Sequence, residues 1–125
     1  MRCLVDTQAL LWALGEPSAL SSAAREALCD PANVVLVSSA SLWECAIKAS
    51  IGKLELPEDF FDAIPELGYE VLPIRIAHLH VYRTLPMHHR DPFDRILVAQ
   101  AKAEALTLIS RDPETAKYDI EILPC

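Results

Sequence analysis

Val34-Val35-Leu36-Val37 is an unbroken apolar run, three of its four residues β-branched. Such a run reads as a strand covered on both faces, because a strand with one wet face alternates apolar with polar residues. A sheet covered on both faces needs helices on each side, and the rest of the chain offers them in alternation. Residues 2–5 (Arg-Cys-Leu-Val) read as a short apolar strand ending at Asp6. Residues 7–14 carry a helix pattern that stops at Gly15 and Pro17, and Ser21-Ser22 opens a second helix over 23–30. After the Val34 run, Ser38 to Ser41 leads into a helix over 42–51, with Gly52 as its C-cap. A short helix over 57–64 follows, then a strand over 69–74 and a helix over 77–85. Strands are expected at 106–110 and 120–123, with a helix start at Asp112-Pro113 between them.

That order predicts an α/β fold: one domain over residues 1–125, with a mostly parallel five-stranded sheet sandwiched between helices. With 125 residues, 52% hydrophobic and only 3 Gly, the chain is long and apolar enough to bury a core. No apolar run reaches the ~18–20 residues of a membrane span, and MRCLVD is not a secretory leader, so a cytoplasmic location is expected. The four cysteines have no CxxC or zinc-ligand spacing, and Cys3 and Cys45 lie in apolar stretches as small buried residues, which suits a reducing compartment. The net charge of −7 argues, taken alone, against a nucleic-acid partner. The objection weakens if several acids share a metal site, since a bound dication reverses the local sign.

The sharpest local signal is Met87 to Ala101, MHHRDPFDRILVAQA. Asp91-Pro92 is a helix start: the aspartate caps free N–H groups and proline fits the first helical position. Phe93, Ile96, Leu97 and Ala101 then fall at helical spacing, so Asp94 sits in the first turn, near the positive end of the dipole. Three more acids have a similar setting. Asp6 follows the first strand, Glu44 lies in the first turn of the helix after the second, and Asp112 follows the fourth. Each has a plain explanation as a cap or first-turn acid, and Ser41-Leu42-Trp43-Glu44 matches a capping box. Together they belong to the carboxyl edge of the sheet, where ligands of such folds bind. Converging carboxylates there need a counter-charge. A hard dication such as Mg2+ or Mn2+ supplies it and activates a water for in-line attack on a phosphodiester. Thr7 and Ser110 place hydroxyls beside this group.

LVDTQALLWAL at 4–14, SSASLWECAIKASIGKLEL at 38–56, HHRDPFDRILVAQA at 88–101 and TLISRD at 107–112 together resemble a PIN-domain ribonuclease. More narrowly, they resemble a VapC-type toxin of a bacterial toxin–antitoxin pair, over nearly the whole chain. The resemblance implies a Mg2+- or Mn2+-dependent site at Asp6, Glu44, Asp94 and Asp112, the last supporting the metal directly or through water. It also implies cleavage of RNA, homodimers, a small antitoxin lying across the site, and higher toxin–antitoxin assemblies.

Around these acids, Asp91 reads as the cap, with a contributing role open to it. Arg95 and Arg111 are candidates for RNA phosphate, or for pairing with the acids, and Arg90 reads equally as exposed loop or phosphate contact. His88 and His89 read equally as exposed loop or phosphate contact. His78 and His80 are two apart on a helix, so they chelate poorly and read as solvated. Trp12 and Trp43 read as core or dimer contacts. Leu10, Leu11 and Leu14, beside Leu20 and Leu28, fit either a groove for a partner helix or burial within the chain. Two other classes compete. A receiver-like signalling domain also gathers acids around Mg2+, but needs an acid ending the third strand and a lysine after the fifth; Val71-Leu72-Pro73-Ile74-Arg75 and Ile122-Leu123-Pro124-Cys125 supply neither. A catalytically silent interaction domain would use the acids only as caps.

Overall fold

The computed structural model describes residues 1–125. Five strands form one sheet: β1 (Arg2–Val5), β2 (Val34–Ser38), β3 (Glu70–Leu72), β4 (Thr107–Ser110) and β5 (Ile122–Pro124). Their spatial order is β3-β2-β1-β4-β5, and every neighbouring pair is parallel. Chain order therefore reverses beside β1, between β1 and β4, and this is where a crevice opens at the carboxyl edge. The order also differs from the 2-1-3-4-5 sheet of receiver domains, which removes that competitor on topology.

Six helices flank the sheet: α1 (Thr7–Gly15), α2 (Ser22–Cys29), α3 (Ser39–Ser50), α4 (Phe60–Glu66), α5 (Ile76–Thr84) and α6 (Pro92–Glu104). Strand alternation explains how both faces are apolar. Cys3, Val5, Val35 and Val37 join Leu10, Ala24, Cys45 and Ile64 in one buried cluster. Leu4, Leu36 and Leu108 point the other way and join Leu97, Val98 and Ala101 of α6. Burying a Leu or Val side chain contributes about 1.5–3 kcal/mol, so both faces contribute. Leu10 and Leu20 are buried, with Leu11, Trp12, Leu14 and Leu28 packed against the first cluster. No helix is long and apolar enough to cross a membrane.

Several boundaries move. The helix expected over 42–51 begins at Ser39, because Ser38 is its cap and accepts from the Ala40 N–H at 3.1 Å. Ser41 lies inside the helix, buried and with its hydroxyl unpartnered. The capping box at Ser41 is thus not formed, and Glu44 belongs to the second turn. The helix expected over 57–64 runs Phe60–Glu66, and Asp59 gives it no side-chain cap. Asp112-Pro113 opens only a 3-10 turn, Pro113–Lys117.

Candidate functional site

Asp6 leaves β1 at the centre of the sheet and caps α1. Its Oδ1 accepts from the Ala9 N–H at 2.7 Å, and its Oδ2 from the Arg111 N–H at 3.0 Å. That second bond ties the ends of β1 and β4 together across the switch point. Asp6 is buried, and loss of water is the main reason its carboxyl rises above the usual range; the bonds from Ala9, Arg111 and Ser110 oppose this, while the charge of Asp112 adds to it.

Glu44 comes from α3. Thr7 Oγ1 donates to its Oε1 at 2.6 Å, and Lys48, one turn on, donates to its Oε2 at 2.9 Å. Asp91 caps α6 as expected, accepting from the Phe93 N–H at 2.8 Å, and Pro92 takes the first helical position. Asp94 then stands in the first turn. Its carboxyl is pushed up to about 7, first by burial and then by the charges of Asp91, Asp6 and Asp112, with His89 opposing. Asp112 caps the following turn, accepting from the Glu114 N–H at 2.9 Å. Burial alone would raise its carboxyl, but the bonds from Glu114 and His89 outweigh that and hold it below the usual range.

Asp6, Glu44, Asp91, Asp94 and Asp112 all line one cavity of about 490 Å³, together with Thr7, Lys48 and Arg111. The four acids singled out in the sequence thus come together, with Asp91 beside them. The donor set fits a hard dication: it is mainly carboxylate oxygen, and the charges of Asp91, Asp6 and Asp112, which add to burial in raising Asp94, are ones a cation relieves.

The neighbouring candidates divide. Thr7 orients Glu44, and Ser110 is buried, accepting from the Asp112 N–H at 3.1 Å. Arg111 borders the cavity, its guanidinium 5.3 Å from the Trp12 ring centroid. Arg90 is exposed and outside the lining. Arg95 neither reaches the pocket nor pairs with the acids. It is buried, donates to the Pro86 carbonyl at 3.0 Å and the Tyr118 hydroxyl at 3.2 Å, and lies over the Tyr82 ring.

His78 is not solvated but fully buried, held by the Arg75 N–H and by Glu104. Trp43 is not core: it is 63% exposed, with its ring edge-on to Phe93. Lys48, which lines the cavity, went unnoticed in the sequence, and His89, beside two of the cavity's acids, was undervalued. Lys48 is the i+4 partner of Glu44, a spacing that signals a helix-surface pair. His89, weighed only as loop or phosphate contact, has Nε2 2.6 Å from Asp112 Oδ2 and 3.1 Å from Asp94 Oδ2.

The family model described as PIN domain matches residues 3–121. The sequence matches no curated protein. Among solved structures, VapBC2 from Rickettsia felis, bound to a DNA fragment from its promoter, is similar at 16% identity and a TM-score of 0.76, over 99% of this chain and 98% of that one. VapBC-1 from nontypeable Haemophilus influenzae is similar at 18% identity and a TM-score of 0.68, again over 99% and 98%. VapBC-5 from Mycobacterium tuberculosis, a toxin–antitoxin system, is similar at 19% and 0.66, with the same coverage. At these identities the likeness is one of fold.

Proposed function

The chain belongs to the PIN-domain family, and from that membership and the pocket we propose that it is a Mg2+- or Mn2+-dependent endoribonuclease, the VapC-type toxin of a type II toxin–antitoxin pair. The observation that carries the reading is the meeting of Asp6, Glu44, Asp94 and Asp112 in one cavity at the β1/β4 switch point. Helix caps of a parallel sheet gather at this edge in any case, but Glu44 and Asp94 cap nothing, and Asp94 is raised by burial and then by the neighbouring acids.

In this reading Asp6, Glu44 and Asp94 hold the metal, and Asp112 supports it directly or through water. A bound dication supplies positive charge against the phosphodiester and acidity to a water. The chain's own residues orient the oxygens. Backbone N–H groups of Ala9 and Arg111 fix Asp6, and Thr7 fixes one oxygen of Glu44. Fixed in this way, the carboxylates of Asp6 and Glu44 lose less freedom when a cation binds. Lys48 and Arg111 at the same cavity offer cations to the RNA backbone. No side-chain nucleophile is required, and the products carry a 5′-phosphate and a 3′-hydroxyl. The similarity to VapBC complexes supports a cognate antitoxin as partner; a homodimer or higher toxin–antitoxin assembly and action in the cytoplasm belong to the same reading.

The test is cleavage of mixed RNA by the purified, partner-free chain in Mn2+ or Mg2+, with and without EDTA, beside Asp6→Asn. Metal-dependent cutting that disappears in the variant is expected. A folded, Mn2+-binding chain that cuts no RNA would instead favour an interaction protein.

A further inference from the structure

His89 lies between two carboxylates that come from different parts of the fold, Asp94 on α6 and Asp112 after β4. Its Nε2 is 2.6 Å from Asp112 Oδ2 and 3.1 Å from Asp94 Oδ2. The other ring nitrogen decides what Nε2 carries. Nδ1 accepts from the Asp91 N–H at 3.0 Å, so Nδ1 bears a lone pair and the proton of a neutral ring sits on Nε2. Nε2 then donates to Asp112 Oδ2, stands within ion-pair distance of Asp94 Oδ2, and has no lone pair to offer a metal.

The ring is also held in place. The His89 N–H donates to the Tyr118 hydroxyl at 3.0 Å, and buried Arg95 donates to that hydroxyl and to the Pro86 carbonyl. The remaining oxygens are unequal. Asp112 Oδ1 is taken by the Glu114 N–H, which leaves Oδ2 as its other acceptor. That is the oxygen His89 holds.

We propose that His89 is a displaceable internal counter-group, whose Nε2–H competes with a divalent cation for the same oxygens of Asp94 and Asp112. It is a positioning residue, acting through the carboxylates and not on substrate. The inference rests on the metal-site reading above. It adds that the pocket's metal affinity is held down by one hydrogen-bond donor, and that cation binding moves the ring. A hydrogen bond to a charged acceptor is worth about 1.5–3 kcal/mol, which corresponds to roughly ten- to a hundredfold in affinity.

The test is Mn2+ affinity, by electron paramagnetic resonance of free Mn2+, for the parent chain, His89→Asn and His89→Gln. The asparagine carbonyl replaces Nδ1 as acceptor for the Asp91 N–H but reaches neither carboxylate. The glutamine amide extends a donor toward the place of Nε2. His89→Asn should bind Mn2+ at least about tenfold more tightly than the parent, and His89→Gln should lie near the parent. In the parent, Mg2+ titration followed by 15N resonances should shift the His89 ring signals as its bonds are lost. Circular dichroism and Tm establish that each variant is folded; if His89→Asn is not, the Mg2+ titration of the parent decides. Equal or weaker Mn2+ binding by folded His89→Asn, or a ring signal unmoved at saturating Mg2+, overturns the competition and leaves the metal site standing. Binding by neither chain overturns both.

Discussion

His78 and His89 are held by the same local device. In each, Nδ1 accepts a backbone N–H from the residue that precedes a helix, Arg75 before α5 and Asp91 before α6. In each, Nε2 faces a carboxylate. The surroundings differ. His78 is fully buried against α6 and meets one acid, Glu104, which is also 3.6 Å from Arg75. His89 meets two acids that line a pocket where Asp6 and Asp91 add further charge. One histidine closes a balanced cluster, and the other stands in a surplus of negative charge. Local bonding therefore does not mark a functional site; charge left over after the bonds are counted does. Buried polar groups with matched partners serve the fold, whereas a carboxyl pushed up to about 7, first by burial and then by neighbouring acids, works against it and is kept where chemistry uses it.

The largest effect should separate the two regions by activity. Asp6→Asn should lower RNA cleavage by at least about a hundredfold, since even outer-shell changes at metal sites cost 10–100-fold. His78→Ala, once folded, should cleave like the parent; equal losses in the two would erase the distinction. Next comes Arg95→Met, expected to destabilise the chain by about 2–3 kcal/mol because it strips partners from the Pro86 carbonyl and the Tyr118 hydroxyl. Urea unfolding measures this, and an unchanged midpoint would return Arg95 to the list of RNA contacts. His78→Ala should cost about 2 kcal/mol yet leave Mn2+ affinity unmoved.

A smaller effect depends on pH. Asp94 rises from its ordinary 3.8 to about 7, so the folded chain holds this proton more tightly than the unfolded one. Stability is then lost as pH climbs from about 4 to about 7. Asp94→Asn removes the group, so in EDTA its Tm should exceed the parent's at pH 8, with the gap closing toward pH 4. A gap independent of pH would contradict the raised carboxyl of Asp94. The smallest effect belongs to Thr7→Val, which frees one Glu44 oxygen and should weaken Mn2+ by no more than about tenfold.

What the sequence made legible follows the range of each interaction. Alternating apolar faces in Val34 to Val37, and the Asp91-Pro92 cap, depend on near neighbours, and both elements stand where expected. The four acids were readable because each is bound to an element end or lies near one. Glu44 is the exception in register: Ser38, Ser39 and Ser41 are all capable caps, and tertiary packing chose Ser38. His78, His89 and Arg95 were misread or undervalued because their partners are remote. Glu104 is 26 positions from His78, and Tyr118 is 29 from His89 and 23 from Arg95. Nothing in the local pattern distinguishes a histidine that will meet such partners from one that will meet water.

The central claim is that these carboxylates share a divalent cation. Anomalous scattering from a crystal soaked in Mn2+ tests it most directly. The account predicts a peak bordered by Asp6, Glu44 and Asp94, with the His89 ring moved off Asp94 and Asp112. A well-ordered pocket with no peak at saturating Mn2+, and His89 still on both carboxylates, would contradict it.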